Sequence, residues 1–348
     1  MKYIYQVFFV LLLSVFYNQS FSQSYTDKDF NITDKLIIKS FMNFHADLGD
    51  SEVKKTAFEI KRAYFGYAHQ FSDNLVGQVI LDVQLNMLHD KYYAFLKIAS
   101  LTWTPVKGLK INGGMISPKQ FKTQERFWGY RYLYKSYQDE YKMGPSADLG
   151  ITAEYKFNDY ISVDGAFLNG EGYKHVQIKY PDFKVAAGVT VHPVKDLSIR
   201  LYYDNMNNKD TSLTTDYKAV QSTYSAFIGY KLKKKFRIAG EYNYQKQFKN
   251  MDNKDLFGFS FYSTYVISKK FEVFGRVDLL NSNKPEGETE NRFYKGDGTL
   301  YLAGLQYNPV KGVKLSANYR FFSFAKPNEG DRKNPLSMIY LNVEFKLN

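Results

Sequence analysis

The strongest constraint in this sequence is a repeated alternation of apolar and polar residues. Val313–Phe321 places its apolar residues on one face and Lys314, Ser316, Asn318 and Arg320 on the other. The same alternation occurs in Leu197–Tyr203, Phe236–Tyr244 and Ser337–Leu347. A period of two is typical of β-strands that have one face in an apolar medium. Since no comparable 3.6-residue repeat occurs, the sequence predicts an all-β fold.

Two kinds of connection separate these segments, and they follow each other in turn along the chain. Seven connections are tight, and three of these are near-copies of one another, TPVKGL, HPVKDL and NPVKGV. Eight connections are longer and polar. Seven tight turns that alternate with eight longer loops join about 16 strands, each antiparallel to the next.

The polar faces of these strands decide between the all-β architectures. A soluble sandwich packs the inward faces of its strands into an apolar core, and lysine and glutamate side chains on so many strands do not suit such a core. An outer-membrane barrel turns its apolar face to lipid and keeps a wet polar lumen. The aromatic residues, 18% of the chain, then belong at the two membrane interfaces. We therefore predict a transmembrane antiparallel up-and-down β-barrel of about 16 strands, wide enough for an aqueous channel.

The first residues predict where the protein is located. Lys2 is followed by the apolar block Val7–Phe16 and then by small residues near Ser22, which is typical of a secretory signal peptide. We expect residues 1–22 to be removed on export through the periplasm, and residues 23–348 to form the barrel. The destination is the outer membrane of a Gram-negative bacterium, among outer-membrane lipids and lipopolysaccharide. The alternating terminal strand resembles the strand that barrel-assembly machinery recognises.

The polar faces also predict which cations line the lumen. Assigning each strand's polar face inward gives a wall with nearly balanced charge, so the alternative is a solvated lining whose opposite charges merely pair. Arg62 can be assigned to either face. The predicted pore-lining cations are Lys97, Lys110, Arg200, Arg237, Arg276, Lys314 and Arg320.

The longest connection, Ile116–Gly144, is the third of the long loops. A connection of this length is usually functional, and we expect it to fold inward and narrow the bore. Six cations against three carboxylates would favour anions in such a constriction. The alternative is an outer lid whose cations bind lipopolysaccharide phosphates. The predicted constriction residues are Lys119, Lys122, Arg126, Arg131 and Lys135.

Two segments carry a resemblance to a known family. Leu96–Phe121 (LKIASLTWTPVKGLKINGGMISPKQF) resembles the phosphate-selective porin O and P family in its strand, tight turn, glycine-containing second strand and proline before the constriction loop. Lys61–Tyr64 is similar to that family's basic-pair strand. The resemblance implies a homotrimeric, anion-preferring diffusion channel for small anionic solutes such as phosphate.

The sequence offers little support for other functions. Without cysteine there are no disulfides, thiolate zinc sites or cysteine nucleophiles. The five histidines show no metal-ligand spacing, and no glycine-rich nucleotide-binding loop occurs. We expect no enzyme, no cofactor and no nucleic-acid partner, although a Ser/His/Asp site that assembles only in space stays open. The two functions to be distinguished are a passive porin and a closed scaffold barrel that serves secretion, adhesion or assembly.

Overall fold

The computed structural model describes residues 34–49, 55–86, 91–175, 183–207, 219–233, 235–284, 293–294, 296–325 and 335–347. The predicted signal peptide, residues 1–22, lies outside the described residues. Within them the chain forms sixteen strands: β1 Lys35–Asp47, β2 Thr56–Ser72, β3 Leu75–Asn86, β4 Lys91–Trp103, β5 Leu109–Ile116, β6 Asp148–Lys156, β7 Ile161–Leu168, β8 Lys184–Val191, β9 Leu197–Met206, β10 Gln221–Leu232, β11 Phe236–Lys246, β12 Leu256–Val266, β13 Phe271–Ser282, β14 Gly298–Tyr307, β15 Val313–Phe324 and β16 Leu336–Leu347.

These strands form one closed barrel in which every strand pairs antiparallel with its neighbours in sequence. The barrel closes between β1 and β16, where Ile38 lies opposite Leu347. The alternation of tight and long connections appears as predicted, so the tight turns lie at one end of the barrel and the long loops at the other. The prediction of a closed antiparallel barrel of about 16 strands is confirmed. Among the described helices, none is long and apolar enough to cross a membrane.

Strand β10 illustrates how alternation separates the two faces of the wall. Tyr224 and Ile228 are exposed on the outside, whereas Thr223 and Phe227 are buried on the inside. Successive side chains of a strand point to opposite faces. Because the same pattern recurs around the barrel, large apolar side chains form the outer surface and polar side chains line the lumen.

Two strands change phase part-way along their length. In β2 the register with β1 shifts so that Arg62 lies opposite Phe41 and Ile60 opposite Met42, which leaves Lys61 as an extra, bulged residue. Before this bulge the large exposed apolar side chains stand at even-numbered positions, as at Phe58. After it they stand at odd-numbered positions, as at Phe65. Lys61 and Arg62 therefore both face the lumen, as a β-bulge allows. The phase change is why Arg62 could be assigned to either face from sequence.

The second bulge lies in β4. Ile80 of β3 pairs with Ile98 and Leu81 pairs with Leu96, so Lys97 is the unpaired extra residue. Lys97 and Ile98 are both buried on the lumen side. The bulges at Lys61 and Lys97 thus each add one lysine to the lumen.

The three near-identical tight turns adopt the same backbone conformation. In each, the residue that begins the next strand donates its N–H to the valine carbonyl, as Leu109 does to Val106 at 3.1 Å. The fourth turn residue has a positive φ, 85° at Gly108 and 88° at Gly312. The corresponding residue of the β8–β9 turn is Asp196, with a φ of 68°. Glycine adopts this left-handed conformation at little cost, and aspartate adopts it less readily.

The candidate functional site: the lumen and its inward loop

The connection between β5 and β6, residues 117–147, lies inside the barrel, and we call it L3. It contains two short helices, α1 (Lys122–Trp128) and α2 (Tyr137–Glu140). Gly129 ends α1 with a φ of 76°, the left-handed conformation that commonly ends helices. Leu133 and Tyr137 are completely buried. The third long loop folds inward, as its length and aromatic content predict.

Aromatic packing holds L3 against one side of the lumen. The Trp128 ring lies 5.5 Å from that of Tyr262 and 6.0 Å from that of Phe274, centroid to centroid. The Phe127 ring lies 5.1 Å from that of Phe227. All five rings are buried. Full burial of each such side chain contributes roughly 1.5–3 kcal/mol, so this contact is the main apolar support of the loop.

Tyrosine hydroxyls of L3 donate hydrogen bonds to acceptors on the wall. Tyr130 donates to Glu272 at 2.7 Å, and Tyr132 donates to Gln306 at 2.8 Å. Tyr137 donates to the backbone carbonyl of Leu279 at 2.9 Å. Since a buried hydroxyl is costly without a partner, these bonds fix the loop at a defined position on β13 and β14.

Wall arginines donate in the opposite direction, to backbone carbonyls of L3. Arg276 donates to the carbonyl of Lys135 at 2.6 Å, and Arg320 donates to that of Leu133 at 3.2 Å. Arg237 donates to the carbonyl of Trp128 at 3.3 Å. These three cations satisfy carbonyls that the irregular loop leaves unpaired.

A chain of buried polar side chains connects L3 to two strands of the wall. Lys184 of β8 pairs with Asp204 at 2.7 Å and donates to Gln120 at 2.9 Å. Gln120 donates to Gln138 at 2.7 Å, and Gln138 donates to Asn243 of β11 at 2.8 Å. The chain therefore runs from β8 through both arms of L3 to β11, so L3 is secured to two strands of this part of the wall.

The face of L3 that points away from this packing carries a row of ion pairs. Glu125 lies 3.3 Å from Lys122 and 3.0 Å from Arg131, and Arg131 also pairs with Asp139. Burial would raise the pKa of Asp139, but the Arg131 guanidinium outweighs it and holds that pKa well below its usual range. The side chains of Lys122, Glu125 and Arg131 keep 15–24% of their surface exposed. Water therefore reaches this row.

Across from this row, one wall carboxylate collects three donors. Asp82 of β3 accepts from Arg62 at 3.1 Å, from Lys97 at 3.4 Å and from the Tyr173 hydroxyl at 2.6 Å. Lys97 lies within electrostatic range of both Arg131 and Arg62. We call Arg62, Lys97, Arg131 and Lys174, with Asp82, the throat cluster.

Lys174 follows Tyr173 in the β7–β8 loop and donates to Gln84 at 2.6 Å. Partial burial and the nearby positive charges of Arg62 and Lys135 lower the pKa of Lys174 to about 8. A second long loop thus contributes a phenol and a titratable cation to the throat. Sequence reasoning missed both residues, because their loop gives no periodic signal.

The five predicted constriction cations are not equivalent. Lys122 and Arg131 belong to the ion-pair row, and Lys119 reaches Glu154 of β6 at 2.5 Å. Arg126 is exposed and lies within electrostatic range of Lys231 near the tight-turn end. Lys135 is partly exposed beside the Arg276 contact. The structure brings two of the five together and distributes the others along the loop.

The seven predicted pore-lining cations fall into two groups. Arg237, Arg276 and Arg320 lie beneath L3 and hold its backbone, as described above. The others interact with the wall itself: Lys97 with Asp82, Arg200 with both Asp164 oxygens at 2.6 and 2.9 Å, Lys314 with Glu344 at 3.2 Å, and Lys110 opposite Glu154 in the β5–β6 register. Alternation identifies the face of each residue, but it does not reveal what covers that face.

Two further arrangements bear on chemistry. Among the described residues, no group of three or more histidine or carboxylate side chains is placed to hold a metal ion. One serine lies beside a histidine: Ser198 Oγ is 3.0 Å from His192 Nδ1. That nitrogen also lies 3.2 Å from the Leu197 carbonyl, which can only accept. A proton on Nδ1 would satisfy this carbonyl, and in that tautomer Nδ1 cannot accept a proton from Ser198.

Several solved structures share this fold. OmpF of Salmonella typhi, in complex with daunomycin, matches with a TM-score of 0.65 at 13% identity, over 90% of this chain and 97% of that chain. OprB of Pseudomonas putida matches with a TM-score of 0.66 at 7% identity, over 90% and 94%. OmpT of Vibrio cholerae, in its trimer form, matches with a TM-score of 0.57 at 13% identity, over 91% and 100%. No curated protein sequence matches the chain.

A family model provides the sequence-level evidence. The model described as "Putative beta-barrel porin-2, OmpL-like" matches residues 133–345, which is well over half of the chain. The match begins within L3 and extends almost to the end of β16. It does not single out the phosphate-selective porins, so that resemblance stays a prediction. The chain belongs to the OmpL-like beta-barrel porin-2 family of outer-membrane porins.

Proposed function

We propose that this porin is an anion-preferring channel for passive diffusion of small hydrophilic solutes. The observation that carries the proposal is the throat cluster, in which Arg62 and Lys97 contact one wall carboxylate and Arg131 and Lys174 lie within electrostatic range of them. Cations in a narrow, low-dielectric passage raise the local concentration of anions and lower the barrier to their entry. Anions are therefore the favoured class, and phosphate is one candidate among them.

The charge excess is moderate because part of it is neutralised within the protein. Arg131 shares its charge with Glu125 and Asp139, and Lys119 shares its charge with Glu154. Such pairs leave a polar passage with a bias toward anions rather than a strict filter. This arrangement suits a general diffusion channel better than a highly specific one.

The proposed protein is not an enzyme and needs no cofactor. The tautomer with its proton on His192 Nδ1, which satisfies the Leu197 carbonyl, gives Ser198 no base and supports this reading. We further propose that the signal peptide is removed, that barrel-assembly machinery inserts the chain, and that it assembles as a homotrimer. Lipopolysaccharide surrounds the long-loop end in this arrangement.

The proposal is tested by reconstituting the folded protein in a planar lipid bilayer and measuring the reversal potential under a potassium chloride gradient. We expect steady conductance and an anion-favouring potential. Replacing Lys119, Lys122, Arg126, Arg131 and Lys135 with glutamine should move the potential toward cations. The control removes five cations from the tight turns instead, Lys107, Lys156, Lys195, Lys233 and Lys269, and should change it much less.

The alternative is a closed scaffold barrel, which the aromatic packing of L3 would suit. Folded protein that does not conduct would support the scaffold and overturn the channel. Conductance with a cation-favouring potential would keep the channel and overturn the role of the throat cluster.

A further inference from the structure

A neutral polar ladder crosses the lumen face of three adjacent strands. Thr102 of β4 donates from its hydroxyl to Asn112 Oδ1 at 2.6 Å. The Asn112 amide donates to the Thr152 hydroxyl of β6 at 3.2 Å. We call these three residues the hydroxyl–amide ladder. Its hydroxyl and amide groups keep further hydrogen-bonding capacity, because each can both donate and accept.

The ladder lies on a part of the wall that water reaches. Thr102 and Asn112 are both partly exposed, whereas Thr152 is buried behind them in the ladder. The next rung toward the long-loop end carries Ser100, Gly114 and Gly150, in register across the same strands. All three are partly exposed, and two have no side chain. The ladder therefore borders the passage and is not filled over by large side chains of its own strands.

Charges flank the ladder on its other side. The rung toward the tight turns pairs Lys110 with Glu154, and Lys119 of L3 reaches the same carboxylate. A solute that passes here meets neutral hydrogen-bonding groups on the wall with cations of L3 close by. Neutral hydrogen-bonding groups and charged groups, the two chemistries of this lining, therefore lie next to each other along one short stretch.

These two chemistries together match one class of solute. A hydroxyl group of a solute both donates and accepts, so paired hydroxyl and amide groups can replace the water that it loses in a narrow passage. Chloride and an alkyl carboxylate can only accept from such a lining, and an alkyl chain offers it no hydrogen-bonding group. We infer that the channel favours small polyhydroxylated organic anions, such as sugar acids. The inference takes the preference for anions from the proposed function and adds the recognition of hydroxyl groups.

The experiment compares two anions that have the same carbon count and a single negative charge. Gluconate carries hydroxyls and hexanoate does not. Their permeabilities relative to chloride are measured from bi-ionic reversal potentials in planar bilayers, at a pH at which both are ionised. We expect gluconate to be favoured over hexanoate by about threefold or more, the order expected from one net hydrogen bond.

The test variant combines Thr102→Val and Asn112→Leu, which preserve side-chain shape and remove the polar groups. It should bring the permeability ratio close to one in a barrel that still conducts potassium chloride. The matched control is Asn205→Leu with Ser222→Ala. This pair forms a similar amide–hydroxyl bond of 3.0 Å between β9 and β10, on the opposite face from the buried Asp204 and Thr223. The control should keep the wild-type ratio.

The outcomes separate this inference from the proposed function. An anion-favouring channel with a gluconate-to-hexanoate ratio of one or less would overturn the inference alone. A ratio above one that survives in the ladder variant would also overturn it, because the preference would arise elsewhere. Absence of any potassium chloride conductance would overturn the proposed function, and the inference with it.

Discussion

The two sides of the barrel wall are built from the same alternating strands but hold different interiors. On β10–β15 the inward side chains meet L3, and Phe274, Arg276 and Arg320 serve to hold it. On β3–β6 the inward side chains pair with one another: Asp82 is fully buried among cations, and the partly exposed Asn112 links two hydroxyl groups. Arginine supports a loop on one side, whereas lysine and arginine surround a throat on the other. The role of a charged residue in the lumen therefore depends on whether L3 packs over it.

The largest change in conductance is expected on the β10–β15 side of the wall, where L3 packs, when the main aromatic contact of L3 is removed. Trp128→Ala deletes a buried ring that packs on Tyr262 and Phe274, and such deletions cost about 3–5 kcal/mol. We expect L3 to leave the wall, so single-channel conductance should rise and proteases should cleave within the loop. The barrel strands themselves should stay folded.

Trp103→Ala is the matched control, because that tryptophan is 41% exposed on the outer face of β4. It should alter neither conductance nor cleavage. If Trp128→Ala conducts like the wild type and resists proteases, then aromatic packing does not distinguish the two sides of the wall.

A smaller effect, on ion selectivity, is expected at the throat cluster and depends on pH. With its pKa lowered to about 8, Lys174 is charged below that pH and neutral above it. Since the throat loses a positive charge as the pH rises, anion preference should fall between about pH 6 and about pH 10. Reversal potentials measured across this range check the prediction.

Lys174→Gln should reduce this pH dependence and bring the low-pH potential closer to that of the wild type at high pH. Lys107→Gln, on a tight turn, should leave it intact. A wild-type potential that stays constant through pH 8 would mean that Lys174 does not contribute to the throat.

The smallest effect is expected on the free energy of unfolding, at the tight-turn end of the barrel. Since this end belongs to neither side of the wall compared above, it serves as a reference for both. Asp196 adopts a φ of 68° where the equivalent turns have glycine. Asp196→Gly should raise the free energy of unfolding by about 0.5–1 kcal/mol, because glycine adopts this conformation without steric cost. Urea unfolding of the protein in lipid measures the difference.

The reverse substitution, Gly312→Asp, should lower the free energy of unfolding, and neither change should affect conductance or selectivity. A selectivity change in Asp196→Gly would indicate that the rim belongs to the permeation path.

Much of this architecture could be predicted from the sequence because a single physical rule governs it. A strand between lipid and water must alternate, so Val313–Phe321 and Ser337–Leu347 were recognisable as strands β15 and β16 from the pattern alone. The inward course of L3 followed from its length and from aromatic residues such as Trp128, which would be costly to expose. The resemblance to phosphate-selective porins is not tested by the fold and stays a prediction.

The composition of the throat could not be predicted in the same way. Arg131 meets Asp139 only through the turn that L3 makes, and no local spacing indicates that contact. Asp82, Lys97 and Tyr173 come from three segments that converge only in the closed barrel. Arg276 and Lys97 also look alike in the alternation, although one lies under L3 and the other borders the throat.

The bulges at Lys61 and Lys97 have a consequence for how such channels diversify. Inserting one residue into a strand adds a side chain to the inside while the barrel keeps its strand count and circumference. A single-codon insertion can thus introduce a charge without removing any existing lipid-facing residue. A substitution exchanges one lumen-facing side chain for another, whereas an insertion of this kind increases the number of side chains that face the lumen. Related porins that differ in permeability should therefore be compared by strand length as well as by residue identity.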